Sequence, residues 1–196
     1  MNAARPADYL GADEVIESTH PDIVALARNL RAAHPDDEAF SAAAFEWVRD
    51  RVAHSLDAQD RRVTLAAADV LRERVGLCYA KSHLLVALLR AEGVPAGLCY
   101  QRLKDGERYV LHGLVAVHLR GGWHRLDPRG NKPGIDAQFS LGEESLAFVV
   151  DESAGDWDCP TVYISPVESV VRAFAEAHDP LVLCAGGLPS EIEARD

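Results

Sequence analysis

The sequence predicts an α+β fold, a central helix packed on an antiparallel β-sheet. Three observations carry this. Apolar residues recur at helical spacing through the first half of the chain. Past Gly93-Val94-Pro95 the pattern shifts to strand-like runs separated by glycine turns. One helix, opening at Cys78, is apolar on nearly all sides (Ala80, Leu84, Leu85, Ala87, Leu88, Leu89), and such a helix belongs at the centre of a domain.

Taken in order, Ala7-Asp8-Tyr9-Leu10 suits a short edge strand. Thr19-His20-Pro21-Asp22 starts a helix, with Thr19 or a neighbour as cap and Pro21 in the first turn. Ile23, Leu26, Ala27 and Leu30 carry it over 21–33. His34-Pro35-Asp36-Asp37 breaks the chain into a second helix, 36–54, with Phe40, Ala44, Trp47, Val48 and Val52 as a core stripe. His54 to Arg62 is polar and is expected to be a loop. Thr64 caps a helix over 65–74, and Gly76 ends it. The Cys78 helix follows and stops at Glu92-Gly93-Val94-Pro95.

A strand then runs from Gly97 to Leu103. Asp105-Gly106 makes a hairpin turn, Tyr109 to Leu119 returns, and Arg120-Gly121-Gly122 turns into Trp123 to Leu126. These three strands form an antiparallel meander. Pro128 to Asp136 is a loop and Leu146 to Val150 a further strand. Asp151 to Pro160 is a polar loop. Ser165-Pro166-Val167-Glu168 is a capping-box start for a helix to Ala177. The tail beyond Gly186 is expected to be loosely ordered.

The chain has 196 residues, 48% of them hydrophobic. A domain of this size buries roughly 70% of its unfolded surface, so a single domain over 1–196 is expected. A net charge of −11 opposes phosphate backbones and anionic membrane surfaces, so no nucleic-acid or membrane partner is expected. No run of about 18 apolar residues occurs. Met1 to Leu10 lacks a basic segment followed by an apolar one. Cys78, Cys99, Cys159 and Cys184 form no C-x-x-C pair, which suggests free thiols and a cytoplasmic setting.

The chemistry concentrates between Val75 and Arg129. A cysteine opens a helix (Gly76-Leu77-Cys78-Tyr79), a histidine lies inside a strand (Leu111-His112-Gly113), and an aspartate ends the next strand (Leu126-Asp127-Pro128). Alone, each has a plain structural explanation: a small buried hydrophobe, a packed histidine, a turn residue before proline. In this order and setting they match a nucleophile, a base and the group that orients the base. The helix dipole and a neighbouring imidazolium favour a thiolate at Cys78. With Arg120-Gly121 as the turn, Leu119 faces Gly122 and Asp127 faces Leu114. Asp127 then shares a face with His112, one step along the strand. Cys99 falls opposite His112 and is expected to be core. His83, His118 and His124 stay outside the triad.

A zinc site built from Cys78, His83, His112, His118 and His124 is the rival. No C-x-x-C or H-E-x-x-H brings such ligands together, so no metal and no cofactor is expected.

These residues resemble the transglutaminase-like superfamily of papain-fold thiol enzymes, in its compact bacterial form. The resemblance rests on Phe45-Glu46-Trp47-Val48-Arg49-Asp50-Arg51-Val52, on Gly76-x-Cys78, and on Arg90-Ala91-Glu92-Gly93-Val94-Pro95-Ala96. It continues with His112 in a strand and Gly122-Trp123-x-x-Leu126-Asp127-Pro128, and covers about residues 40–130. It implies a papain-like, transglutaminase-core fold with catalytic Cys78, His112 as base and Asp127 as orienter. The nucleophile–base–orienter set predicts a thiol enzyme that cleaves or transfers an acyl group through a Cys78 thioester, discharged by water or by an amine, with a peptide or small amide as substrate. The compact bacterial resemblance implies hydrolysis over transamidation. A non-catalytic peptide- or protein-binding module on the same fold is the alternative. Gly113-Leu114 after the histidine and Tyr79 after the cysteine depart from the usual family pattern.

Overall fold

The computed structural model describes residues 1–193. Helix α1 (Pro21–Ala33) has Pro21 in its first turn, and its cap is His20, whose Nδ1 accepts from Asp22 N at 3.3 Å. Helix α2 (Asp37–Arg51) is capped by Asp36, which accepts from Ala39 N at 2.9 Å. Phe40, Ala44, Phe45 and Val48 are its buried face. Trp47 is only half-buried at the core's edge, with the Arg74 guanidinium 4.3 Å above its ring.

The expected loop from His54 contains more structure than its polarity suggests. Strand β1 (Ala53–His54) runs into a single helical turn, α3 (Ser55–Ala58). Helix α4 (Ala67–Glu73) is shorter than expected, and Thr64 does not cap it; its hydroxyl donates to Val75 O at 2.8 Å. Arg74, at φ 57°, is the left-handed residue that ends α4. Gly76 instead belongs to strand β2 (Val75–Gly76), which pairs in parallel with β1. A Cβ on Gly76 would stand 2.9 Å from Ala80 Cβ, so glycine lets β2 lie against the first turn of the next helix.

That helix, α5 (Cys78–Ala91), is buried from Cys78 to Arg90. Arg90 survives burial because its nitrogens donate to the carbonyls of Ala96 (2.8 Å), Gly11 (2.7 Å) and Ile164 (2.6 Å). Around α5 pack α1, α2 and α4 on one side and the sheet on the other.

The sheet comprises β3 (Ala96–Asp105), β4 (Arg108–Leu119), β5 (Gly122–Leu126) and β6 (Trp157–Asp158), antiparallel in the order β5-β4-β3-β6. The meander is as expected, and β6 adds an edge. Leu119 faces Gly122, with Arg120 and Gly121 both at positive φ (51° and 77°). The first hairpin turns on Gly106-Glu107, one residue later than Asp105-Gly106, since Asp105 pairs with Arg108. Moving a turn by one residue moves each partner by two. Cys99 therefore faces Leu114, and Gln101 faces His112. The fold class is α+β.

Four further expectations are corrected. Residues 7–10 form no strand; Pro6–Tyr9 is a 3-10 turn held by Tyr9 Oη donating to Val162 O at 2.8 Å. Residues 146–150 are irregular, and the Ala147 N–H goes to the Asp127 carboxylate instead of a strand partner. Helix α6 (Glu168–Ala175) has no side-chain cap, because the Ser165 hydroxyl donates to Asp13 at 2.6 Å. Nor are residues 187–193 loose: Leu111 N donates to Pro189 O and Glu168 N to Glu193 O, both at 2.7 Å. The rest of the expected tail, 194–196, lies outside the described residues. Among the described residues no helix is long and apolar enough to cross a membrane.

Candidate active site

Cys78 is the first residue of α5, at the positive end of the helix dipole. Leu77 precedes it and offers no capping side chain, so the first N–H groups of the helix are not taken by a cap. Cys78 is 8% exposed and lies at the wall of a cavity of about 270 Å³. Leu103, Val110, Leu111, Phe148 and Leu188 make that cavity mainly apolar.

His112 sits in the middle of β4 and Asp127 just past β5. The register set at Arg120-Gly121 brings His112 Nε2 within 2.8 Å of Asp127 Oδ2. A carboxylate only accepts, so Nε2 carries the hydrogen. With Nε2 committed, Nδ1 is the nitrogen left for the Cys78 sulfur, which lines the same cavity and helps to raise the pKa of the ring. The Phe148 ring stands edge-on to the imidazole, centroids 5.0 Å apart, and fixes its plane.

Burial opposes charge on His112. The Asp127 carboxylate and the Cys78 sulfur outweigh it, and its pKa is pushed up to about 10. At neutral pH the ring is an imidazolium. Asp127 is fully buried, which alone would raise its pKa. The His112 charge and hydrogen bond, with donation from Ala147 N (3.0 Å) and Arg129 N (3.1 Å), hold it below the ordinary carboxylate value instead. Here is where the 146–150 backbone spends its donor: Ala147 pins the carboxylate and Phe148 pins the ring.

The structure thus brings together Cys78, His112 and Asp127. The other histidines lie apart. His83 Nδ1 is 2.8 Å from Leu65 O, His118 packs against Trp123, and His124 Nε2 is 3.1 Å from Leu119 O. No group of three or more metal-ligating side chains converges among the described residues. All four cysteines are free thiols.

Several site residues carry no sequence signal of their own. His54 lines the cavity beside Cys78, although its segment looked like a solvated loop. Its pKa is pushed down to about 3, first by burial and then by Arg129, so it is neutral. Arg129 makes a two-pronged ion pair with Asp57 (2.6 and 3.1 Å), which also holds Lys132 at 2.6 Å. Lys81, one turn past Cys78 and fully buried, donates to Arg49 O at 3.2 Å and to Val52 O, and so joins α5 to the end of α2.

Residues 24–128 match the family model for the transglutaminase-like superfamily. Among solved structures, the chain is similar to a candidate cysteine protease from Cytophaga hutchinsonii. Identity is 21%, the TM-score is 0.53, and the match covers 62% of this chain and 40% of that one. It is also similar to the periplasmic domain of TgpA from Pseudomonas aeruginosa, with 25% identity, a TM-score of 0.48, and coverage of 64% and 48%. The chain spans less than half the length of either. No curated protein matches it.

Proposed function

The chain belongs to the transglutaminase-like superfamily, and from that premise we propose that it is a thiol-dependent enzyme that hydrolyses an amide or peptide bond through a thioester on Cys78. The observation that carries this is the buried line Cys78–His112–Asp127 along the wall of an apolar cavity.

Each residue has a role that its surroundings support. The Cys78 thiolate attacks the scissile carbonyl carbon, and the uncapped N–H groups of the first turn of α5 receive the oxyanion. The C–N bond breaks as the His112 imidazolium gives its proton to the departing amine, leaving a thioester and a neutral imidazole. His112 then takes a proton from water. The hydroxide oxygen attacks the thioester carbonyl, and the acid departs as Cys78 leaves as thiolate. Asp127 keeps Nδ1 directed at sulfur and stabilises the imidazolium. His54 does not fit the base role: burial pushes its pKa down to about 3, so it holds a proton poorly, and its Nδ1 has no hydrogen-bond partner to orient the ring.

The test is iodoacetamide labelling near pH 6, followed by turnover of a fluorogenic peptide library. One thiol among four alkylated far faster than the rest, slowed by His112→Ala, together with turnover lost in Cys78→Ala, is the expected result. Four thiols of similar slow reactivity and no cleaved peptide would favour a binding module.

A further inference from the structure

We propose that a second groove, on the other side of Phe148, is the subsite for the leaving-group half of the substrate and takes a lysine or arginine side chain. The inference rests on the thioester chemistry proposed above and adds the charge of the departing amine component. The groove holds about 380 Å³ and is lined by Gln101, Arg125, Glu144, Phe148, Glu152 and Asp158 among others.

Its place follows from His112. The imidazolium must hand its proton to the departing nitrogen, so the leaving half of the substrate lies on the histidine's side of the sulfur. Phe148 lines both the thiol cavity and this groove, and its ring stands against His112. Gln101 is the ladder partner of His112, so the two side chains project from the same face of the sheet.

Its charge follows from the lining. The lining carries three carboxylates, Glu144, Glu152 and Asp158, and one guanidinium, that of Arg125. Arg125 Nε holds Glu144 at 2.7 Å and its Nη2 holds Asp158 at 3.2 Å. Glu152 has no ion-pair partner among the described residues, which leaves the groove with excess negative charge. The thiol cavity differs: it is mainly apolar, and beyond Cys78 and His112 its charged lining is Arg129 and Lys104 against Asp105.

A separate observation asks for a hydrogen-bond donor. Gln101 is 1% exposed, and its Nε2 donates to Asp158 Oδ1 at 3.0 Å. Because a carboxylate can only accept, that bond fixes which end of the amide is which. Gln101 Oε1 is then a buried acceptor with no partner. A buried acceptor left unpaired costs free energy that a ligand's N–H recovers. An ammonium or guanidinium meets both needs, supplying donors and positive charge.

The test uses the Cys78→Ala chain, so that binding is read without turnover, and titrates it calorimetrically with lysine amide, norleucine amide and Nε-acetyl-lysine amide. Norleucine keeps the stem and lacks the ammonium. Lysine amide should bind about tenfold tighter than the other two, and Glu152→Gln should cut that preference about threefold or more. Glu144→Gln is the second variant, should Glu152→Gln fold poorly. Equal affinity for the three amides, or a preference untouched by both variants, overturns the proposal. A lysine preference with a Cys78 that alkylates slowly overturns the leaving-group role, and with it the thioester reading. A reactive Cys78 with no lysine preference overturns the subsite alone.

Discussion

A Cβ on Gly113 would lie 2.9 Å from Tyr79 Cδ1 and 3.2 Å from Tyr79 Cα, so glycine after the histidine lets both the backbone and the ring of the residue after the cysteine come up against β4. The same tyrosine donates its hydroxyl to the Leu111 carbonyl, and Ser82 donates to the Gly113 carbonyl at 3.3 Å. The start of α5 is thereby fastened to β4 on both sides of His112. Tyr79 and Gly113 thus form one contact.

Gly113→Ala should destabilise the fold by about 1–3 kcal/mol, since the added methyl meets backbone as well as ring and cannot be relieved by a rotamer change. It should also slow Cys78 alkylation, because moving α5 off β4 moves sulfur from imidazole. Tyr79→Phe should cost about 1 kcal/mol, from one buried hydrogen bond. Urea denaturation with alkylation rates measures both. Full stability and full reactivity in Gly113→Ala would mean that this contact does not set the spacing.

Cys78→Ala should abolish turnover at a stability cost of about 1–2 kcal/mol, since it removes one small, mostly buried atom. The measurement is peptide hydrolysis beside a thermal melt. Retained turnover in a folded variant would remove the thiol from the mechanism.

How far the sequence reaches is clearest at His112. Its adjacency to Asp127 was readable because one glycine turn, Arg120-Gly121, fixes the whole register of β4 on β5. A turn is local, and local chemistry shows in sequence. Asp105-Gly106 misled by one residue for the same reason: neighbouring turn formers compete, and the pairing energy of the long strands decides between them. What stayed hidden is nonlocal. Leu146–Val150 has a strand-like composition, but Ala147 N meets a buried carboxylate twenty residues away and Val149 is 92% exposed. His54 lies in a polar stretch and is buried only because β1 pairs with β2 beside Cys78. The groove next to Gln101 exists because β6, two residues long, pairs there across a long connection.

His54→Phe should leave the rapid alkylation of Cys78 unchanged, while His112→Ala should slow it by an order of magnitude or more. His54 also lines the cavity, but with its pKa pushed down to about 3 it holds a proton poorly, and its Nδ1 is 3.9 Å from Asp57 with no hydrogen bond made. Replacing an unpaired buried polar atom with carbon should change stability by no more than about 1 kcal/mol. Equal loss in the two variants would show that both rings serve the sulfur.

The last prediction concerns stability between pH 6.5 and 10, where two buried groups pull in opposite directions. His112 has its pKa raised from 6.5 to about 10, burial notwithstanding, by Asp127 and Cys78. Its contribution is fully present below pH 6.5 and is lost as pH rises towards 10, because the unfolded chain releases that proton first. Lys81 has its pKa lowered from 10.5 to about 7, chiefly by burial and then by Arg129. Its sign is reversed. The charged form is penalised in the folded state, so stability is gained from about pH 7 to 10.5, as the folded chain loses a proton that the unfolded chain keeps. The neutral amine retains two N–H donors for the Arg49 and Val52 carbonyls. The two slopes offset each other in the wild-type chain. Asp127→Asn weakens the hold on the imidazolium and should make the slope of unfolding free energy against pH more positive. Lys81→Met removes the opposing gain and should make it more negative. Urea denaturation at several pH values across this window reads both. Slopes that shift the same way in the two variants would mean that His112 and Lys81 are not the groups that set the alkaline stability of this fold.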